Sequence, residues 1–230
     1  IDIRTSFLGY YSRWNGGLLS MISFSFLYWS FVTFIDKRRS IQLIKLLLFS
    51  TFLASIYASL EHFGFSTSCL LITKQFNVEC WIQDVQNRVF GTFGQPNWLA
   101  AWLVGVSSLP LYFVIKSKTN LRKLIYFSLF TLIVVTLYYT KSRSGFLGLI
   151  FSQIIFWFTS YLIKKFNLKL FLFVSCFLLI VTLFIKTPWQ IKLFNTSNVT
   201  QTSITSGTAL ETGGTDSGVI RKIVWKGAWD

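Results

Sequence analysis

The sequence predicts an all-α fold: a polytopic bundle of transmembrane helices with outward-facing loops. Three observations carry that expectation. Hydrophobic residues make up 53% of the 230 and charged residues 13%, against about 25% charged in a soluble domain. The apolar residues come in long blocks, without the dyad alternation of a membrane β-barrel or the one-sided stripe of a surface helix. Six of these blocks run for 16 to 20 residues, and a helix needs about 17–25 to cross a bilayer.

Taken in order, the spans are expected at 18–35, 41–60, 98–115, 124–140, 145–163 and 170–185. The second holds one charge, Lys45, close enough to an end for its stem to snorkel; the others hold none. Pro110 predicts a kink in the third. The sixth is short and is framed by Lys169 and Lys186, whose stems can extend it. Residues 1–187 are thus expected to form the bundle, and 188–230 the start of a large extracytoplasmic loop. The chain begins at Ile1, has Met21 as its only methionine and stops at Asp230 in an apparent helix. It is therefore expected to be a piece of a longer protein with further helices.

Positive charge sets the orientation. Ten cations fall in three short segments: Lys37, Arg38 and Arg39; Lys116, Lys118, Arg122 and Lys123; Lys164, Lys165 and Lys169. Lysine and arginine in short loops mark the cytoplasmic side. The N-terminal segment, the connection 61–97, the turn 141–144 and everything after Lys186 then face outward. On this reading the net charge of +14 is a consequence of topology, and nucleic acid is not an expected partner.

Of the three cysteines, Cys176 lies mid-helix and reads as packing. Cys69 and Cys80 both fall in the outward connection, eleven positions apart. An oxidising compartment allows a disulfide there, and two unrelated thiols are the alternative. The lone histidine, His62, has no second ligand near it and reads as an interfacial residue beside Glu61. No metal site is expected.

Three outward segments carry chemistry that lipid does not call for. The first is Arg88-Val-Phe-Gly-Thr-Phe-Gly-Gln-Pro-Asn97. Pro96 suits the first turn of a helix, and Asn97 puts a polar group where a helix start has free N–H donors. A plain helix start with an interfacial Trp98 explains proline and tryptophan, but not the arginine, two glycines and asparagine together. The second is Thr140-Lys-Ser-Arg-Ser-Gly-Phe146. Ser142 and Ser144 are N-cap candidates for a helix starting near Gly145. The partial positive charge of that helix start, with Lys141 and Arg143, makes an anion site; a basic hairpin tip against lipid headgroups is the plainer alternative. The third is 219–230, after a Thr-, Ser- and Gly-rich stretch, where Arg221, Trp225 and Trp229 share one helical stripe. An amphipathic helix on the bilayer surface is the plainer alternative there.

Arg88, Arg143 and Arg221 thus come from separate outward segments of a charge-poor chain. A planar guanidinium grips phosphate with two parallel N–H bonds. Meeting at the membrane edge, the three would suit a lipid-linked phosphate or pyrophosphate. Asn97, Lys141 and Trp225 are expected to join Arg88 as substrate contacts.

Together with Gly9-Tyr-Tyr-Ser-Arg-Trp-Asn-Gly-Gly17, the segments Arg88–Asn97, Ser142-Arg-Ser-Gly145 and Arg221-Lys-Ile-Val-Trp225 resemble the O-antigen ligase and polymerase family in order and spacing, over nearly the whole chain. The resemblance implies a polytopic glycosyltransferase of the bacterial inner membrane. Its members move glycan from undecaprenyl-pyrophosphate to a hydroxyl on lipid A-core, another glycan or a protein. It implies that Arg143 and Arg221 hold the carrier's pyrophosphate and act catalytically, and that the catalytic histidine lies beyond residue 230. His62 does not match it, so this chain by itself is expected to be inactive. The outward segments lack an Asp-x-Asp pair, so transfer is expected to need no metal or other cofactor. Fixed cations facing the leaving pyrophosphate would supply about 3–4 kcal/mol per contact. The rival reading is a transporter or flippase for lipid-linked glycans. Ion-coupled carriers keep ionisable groups inside the membrane, and the six expected spans contain no Asp, Glu or His.

Overall fold

The computed structural model of the chain describes residues 3–9, 16–81 and 83–185. Among them every regular element is helical: α1 (Ile3–Leu8), α2 (Leu18–Phe34), α3 (Lys37–His62), α4 (Thr67–Thr73), α5 (Pro96–Lys116), α6 (Asn120–Tyr139), α7 (Arg143–Leu162) and α8 (Leu168–Phe184), with a 3-10 turn at Gly91–Phe93. Four helices, α3, α5, α6 and α7, are long and apolar enough to cross a membrane. The first and sixth expected spans appear as α2 and α8, apolar helices of 17 residues each. At 1.5 Å per residue such a helix is about 25 Å long, a little short of a hydrocarbon core of about 30 Å.

Caps explain where several helices begin. The Asp36 carboxylate accepts the Arg39 N–H at 2.9 Å and starts α3 at Lys37. Lys37, Arg38 and Arg39, expected in a loop, therefore occupy the first helical turn. Cations there oppose the helix dipole, and the cap overrides that penalty. Asn167 caps α8 through the Leu170 N–H at 3.2 Å. Pro110 lies buried inside α5, which runs on to Lys116 without dividing into two helices.

The helix α5 is the hub, packed against α3, α6 and α7. Leu99, Leu103 and Leu111 from α5 and Phe130, Ile133 and Leu137 from α6 are fully buried. Small residues bring α7 close to α5. A Cβ at Gly145 would stand 2.9 Å from the Ala100 Cβ, and one at Gly148 would stand 3.2 Å from a Val104 methyl. One turn further, the Ser152 and Ser108 hydroxyls are 2.9 Å apart. A stripe of small residues is how helices approach in lipid, where no hydrophobic force pulls them together. Away from α5, Phe151, Ile154, Ile155 and Phe158 of α7 are exposed, an exterior suited to acyl chains.

The connection between α3 and α5 does not project freely. Cys69 and Cys80 are joined by a disulfide, Cα to Cα 5.5 Å. The Ser68 hydroxyl on α4 lies 2.6 Å from that of Tyr57 on α3. Gly91 sits against Ala58, and Phe93 packs its ring 5.7 Å from that of Trp102. The connection thus folds back along the last turns of α3 and the first turns of α5.

Candidate functional site

Two helix starts meet where α5 and α7 begin. Ser142 caps α7, its Oγ accepting the Gly145 N–H at 3.2 Å. The same hydroxyl donates to Asn97 Oδ1 at 2.9 Å. Asn97 is the second residue of α5, after Pro96 at the first position. The expected helix start near Gly145 thus falls two residues earlier, at Arg143, because Ser142 rather than Ser144 is the cap. The Ser144 hydroxyl lies 3.1 Å from that of Ser142 and extends the network.

Arg88 ties these two starts to the long connection. Its Nε–H donates to the Thr140 carbonyl and its Nη2 to Asn97 Oδ1, both at 3.0 Å. The neighbouring Val89 N–H donates to the Tyr139 carbonyl at 3.2 Å. Both acceptors of the Arg88 guanidinium are neutral, so its charge is held in place without being cancelled. Partial burial pulls its pKa below the usual arginine value through desolvation. Arginine starts so far above neutrality that it stays charged. Lys141 donates to Asn87 Oδ1, again a neutral oxygen. Its backbone lies in the left-handed region at φ +48°, which few non-glycine residues adopt, and this sharp turn lets α7 start directly after α6.

The structure therefore brings together Arg88, Asn97 and Lys141, and puts Arg143 next to them as the first residue of α7. Arg143 is exposed and makes no hydrogen bond or ion pair with any described residue. Arg221 and Trp225 lie outside the described residues. Trp98, the third residue of α5, is 54% exposed.

Two residues beneath this layer were not legible as partners. Glu61, read as a residue beyond its span, lies in the last turn of α3 with no exposed surface. Its Oε2 accepts the Gly91 N–H at 3.1 Å, while Oε1 has no partner. Gly91 has φ +54°, and a Cβ there would stand 3.3 Å from the Ala58 Cβ, so the turn carrying Arg88 to Asn97 needs glycine at this point. His62, read as an interfacial residue at a helix end, is the last residue of α3. Its Nδ1–H donates to the Gln86 carbonyl at 2.6 Å, and its ring stacks on Tyr139 at 3.8 Å. The only signal in the sequence was the pair Glu61-His62 at the end of an apolar run.

An apolar groove of about 620 Å³ begins one turn along α7 from Ser142. Tyr138 and Phe146 line its near end and Trp157 its far end, with Leu178 and Leu179 of α8 on the other wall. Among the described residues no group of three His, Cys, Asp or Glu side chains could hold a metal ion. Comparisons with protein-family models, curated proteins and solved structures found no match to this chain.

Proposed function

We propose that this chain belongs to a membrane glycosyltransferase of the O-antigen ligase type, acting on the outer side of the bacterial inner membrane. It would transfer glycan from undecaprenyl-pyrophosphate to a hydroxyl acceptor. In this reading α2 and α8 also cross the bilayer, with slight thinning or snorkelling absorbing their shortness, to give six spans. The segments rich in lysine and arginine lie in the cytoplasm.

One observation carries the reading: a cationic cluster sits at the head of an apolar groove. Pro96 has no N–H and Ser142 takes the Gly145 amide, which leaves the amides of Asn97, Arg143 and Ser144 without intrahelical partners, and both helix dipoles direct positive charge at the same place. Arg88 and Lys141 are bound to neutral oxygens rather than to carboxylates, and the exposed Arg143 has its guanidinium free to reach a ligand. That is a setting for a phosphate or pyrophosphate. The groove from Tyr138 and Phe146 down to Trp157 offers the adjoining apolar tail a path within the bilayer. The resemblance of the Arg88–Asn97 and Ser142–Gly145 segments to the O-antigen ligase family supplies the reaction. The pyrophosphate leaves with extra negative charge, and pre-positioned cations stabilise it. An acceptor proton must still go to a general base.

The test is binding and turnover of a polyprenyl-pyrophosphate-linked glycan by the full-length protein in membranes. Arg143→Lys keeps the charge but loses the fork. It is expected to reduce transfer at least tenfold while leaving membrane insertion unchanged, a loss of about 1.4 kcal/mol or more. Wild-type release of free carrier pyrophosphate separates this reading from a transporter, which would release none. Full transfer by the Arg143→Lys protein would overturn the role given to this residue.

A further inference from the structure

We propose that the disulfide-closed lobe between α3 and the Arg88 segment is a lipid-facing wedge, set into the leaflet at the C-terminal end of α3 with Leu70, Leu71 and Ile72 among the lipids. Leu71 and Ile72 are 76% and 73% exposed and Leu70 is 41% exposed, three consecutive large apolar side chains on a seven-residue helix. Phe65 and Phe76, whose rings stack at 5.3 Å, flank them and are also exposed. Such a patch has no stable place in water.

Depth decides the partner. The Ser68 hydroxyl of α4 lies 2.6 Å from that of Tyr57, and Tyr57 stands five residues before the end of α3. At 1.5 Å per residue this is about 8 Å back along the helix. Leu71 and Ile72 follow Ser68 by three and four residues, so at 1.5 Å per residue they stay within about 6 Å of that level whichever way α4 runs. Phe52, Leu53 and Ile56, just before Tyr57 on α3, are themselves exposed apolar residues, so α3 presents apolar surface to lipid at a neighbouring depth.

The other face of α4 is anchored. Cys69 is buried and bonded to Cys80, and the Ser66 hydroxyl accepts the Trp81 indole N–H at 3.2 Å. The disulfide thus prevents α4 from swinging out into water. Lys74 closes α4 in the left-handed conformation at φ +62° and is exposed. There its ammonium can meet lipid phosphates while the preceding residues sit in the apolar boundary.

The experiment replaces Leu71 with a photo-crosslinking phenylalanine analogue. The full chain is reconstituted in vesicles of phosphatidylethanolamine and phosphatidylglycerol carrying a radiolabelled phospholipid. Parallel proteins carry the analogue at Phe158, on the exposed face of α7, and at Gln83, an exposed polar position. Phospholipid adducts at positions 71 and 158, and none at 83, are the expected result. An adduct at 158 with none at 71 overturns the wedge and leaves the membrane bundle standing. Crosslinks from position 71 to a second protein chain in place of lipid overturn it in favour of a protein interface. Absence of adducts at both 71 and 158 overturns the wedge together with the bilayer placement of the bundle.

Discussion

Asn97 Oδ1 accepts two hydrogen bonds, from Arg88 and from Ser142, and this makes it the residue to probe first. Asn97→Ala leaves a guanidinium and a part-buried hydroxyl without their acceptor. That is expected to cost about 1–3 kcal/mol, read as a lower Tm of the detergent-solubilised protein. Asn97→Asp keeps the acceptor and adds an anion beside Arg88, so it should hold the Tm while weakening pyrophosphate binding. A drop in Tm with unchanged binding would remove Asn97 from the ligand site. Gly145 makes a second test: a methyl there would meet the Ala100 Cβ at 2.9 Å. Gly145→Ala should destabilise the bundle by about 1–3 kcal/mol through overpacking. Retention of the wild-type Tm would mean that α5 and α7 are less closely packed than described. The sequence marked Asn97 as a helix-start residue, but not Ser142 as its partner, since nothing local relates positions 45 residues apart.

Among the elements, the connection between α3 and α5 departs most from a reading by segments. Its composition, with glycines, proline and polar residues, looks like an exposed loop. In the structure Glu61 and Ala58 of α3 hold its 3-10 turn, Trp102 of α5 packs on Phe93, and the Cys69–Cys80 bond closes its middle. Closing so short a loop contributes roughly 2–3 kcal/mol on the chain-entropy model. Cys69→Ser should therefore accelerate amide exchange and proteolysis over 66–81 while α5 to α7 keep their protection. Equal loss of protection throughout the bundle would show that the lobe is not an independent unit. The helices themselves were more legible. Their apolar lengths and caps are local, and the shifts were small: α3 reaches back to Lys37 because of Asp36, and α7 to Arg143 because of Ser142.

For the whole molecule, the distribution of cations predicts sidedness. Helices α5 and α6 join at 117–119 and α6 and α7 at 140–142, at opposite ends of α6. In the proposed orientation the first turn is cytoplasmic and the second is outward. Single cysteines at Lys118 and Thr92, in a Cys176→Ser background with the disulfide intact, should be labelled from opposite faces of sealed membranes by an impermeant maleimide. Labelling of both from one face would refute the arrangement of the spans and remove the site from the outer surface.

The sequence by itself determined the helical class and the six long apolar segments, four of which form helices long and apolar enough to cross a membrane, with helix starts within about four residues. Hydrophobic length and capping depend on residues within a turn or two of each other. Only the tertiary structure decided that Arg88, Asn97 and Lys141 share one cluster, that Glu61 is buried beneath Gly91, and that the Cys69–Cys80 lobe folds back along α3. Those facts depend on which helices pack together, and at what depth. Small residues such as Gly145 and Gly148 set that packing across the bundle, and no run of neighbouring residues encodes it.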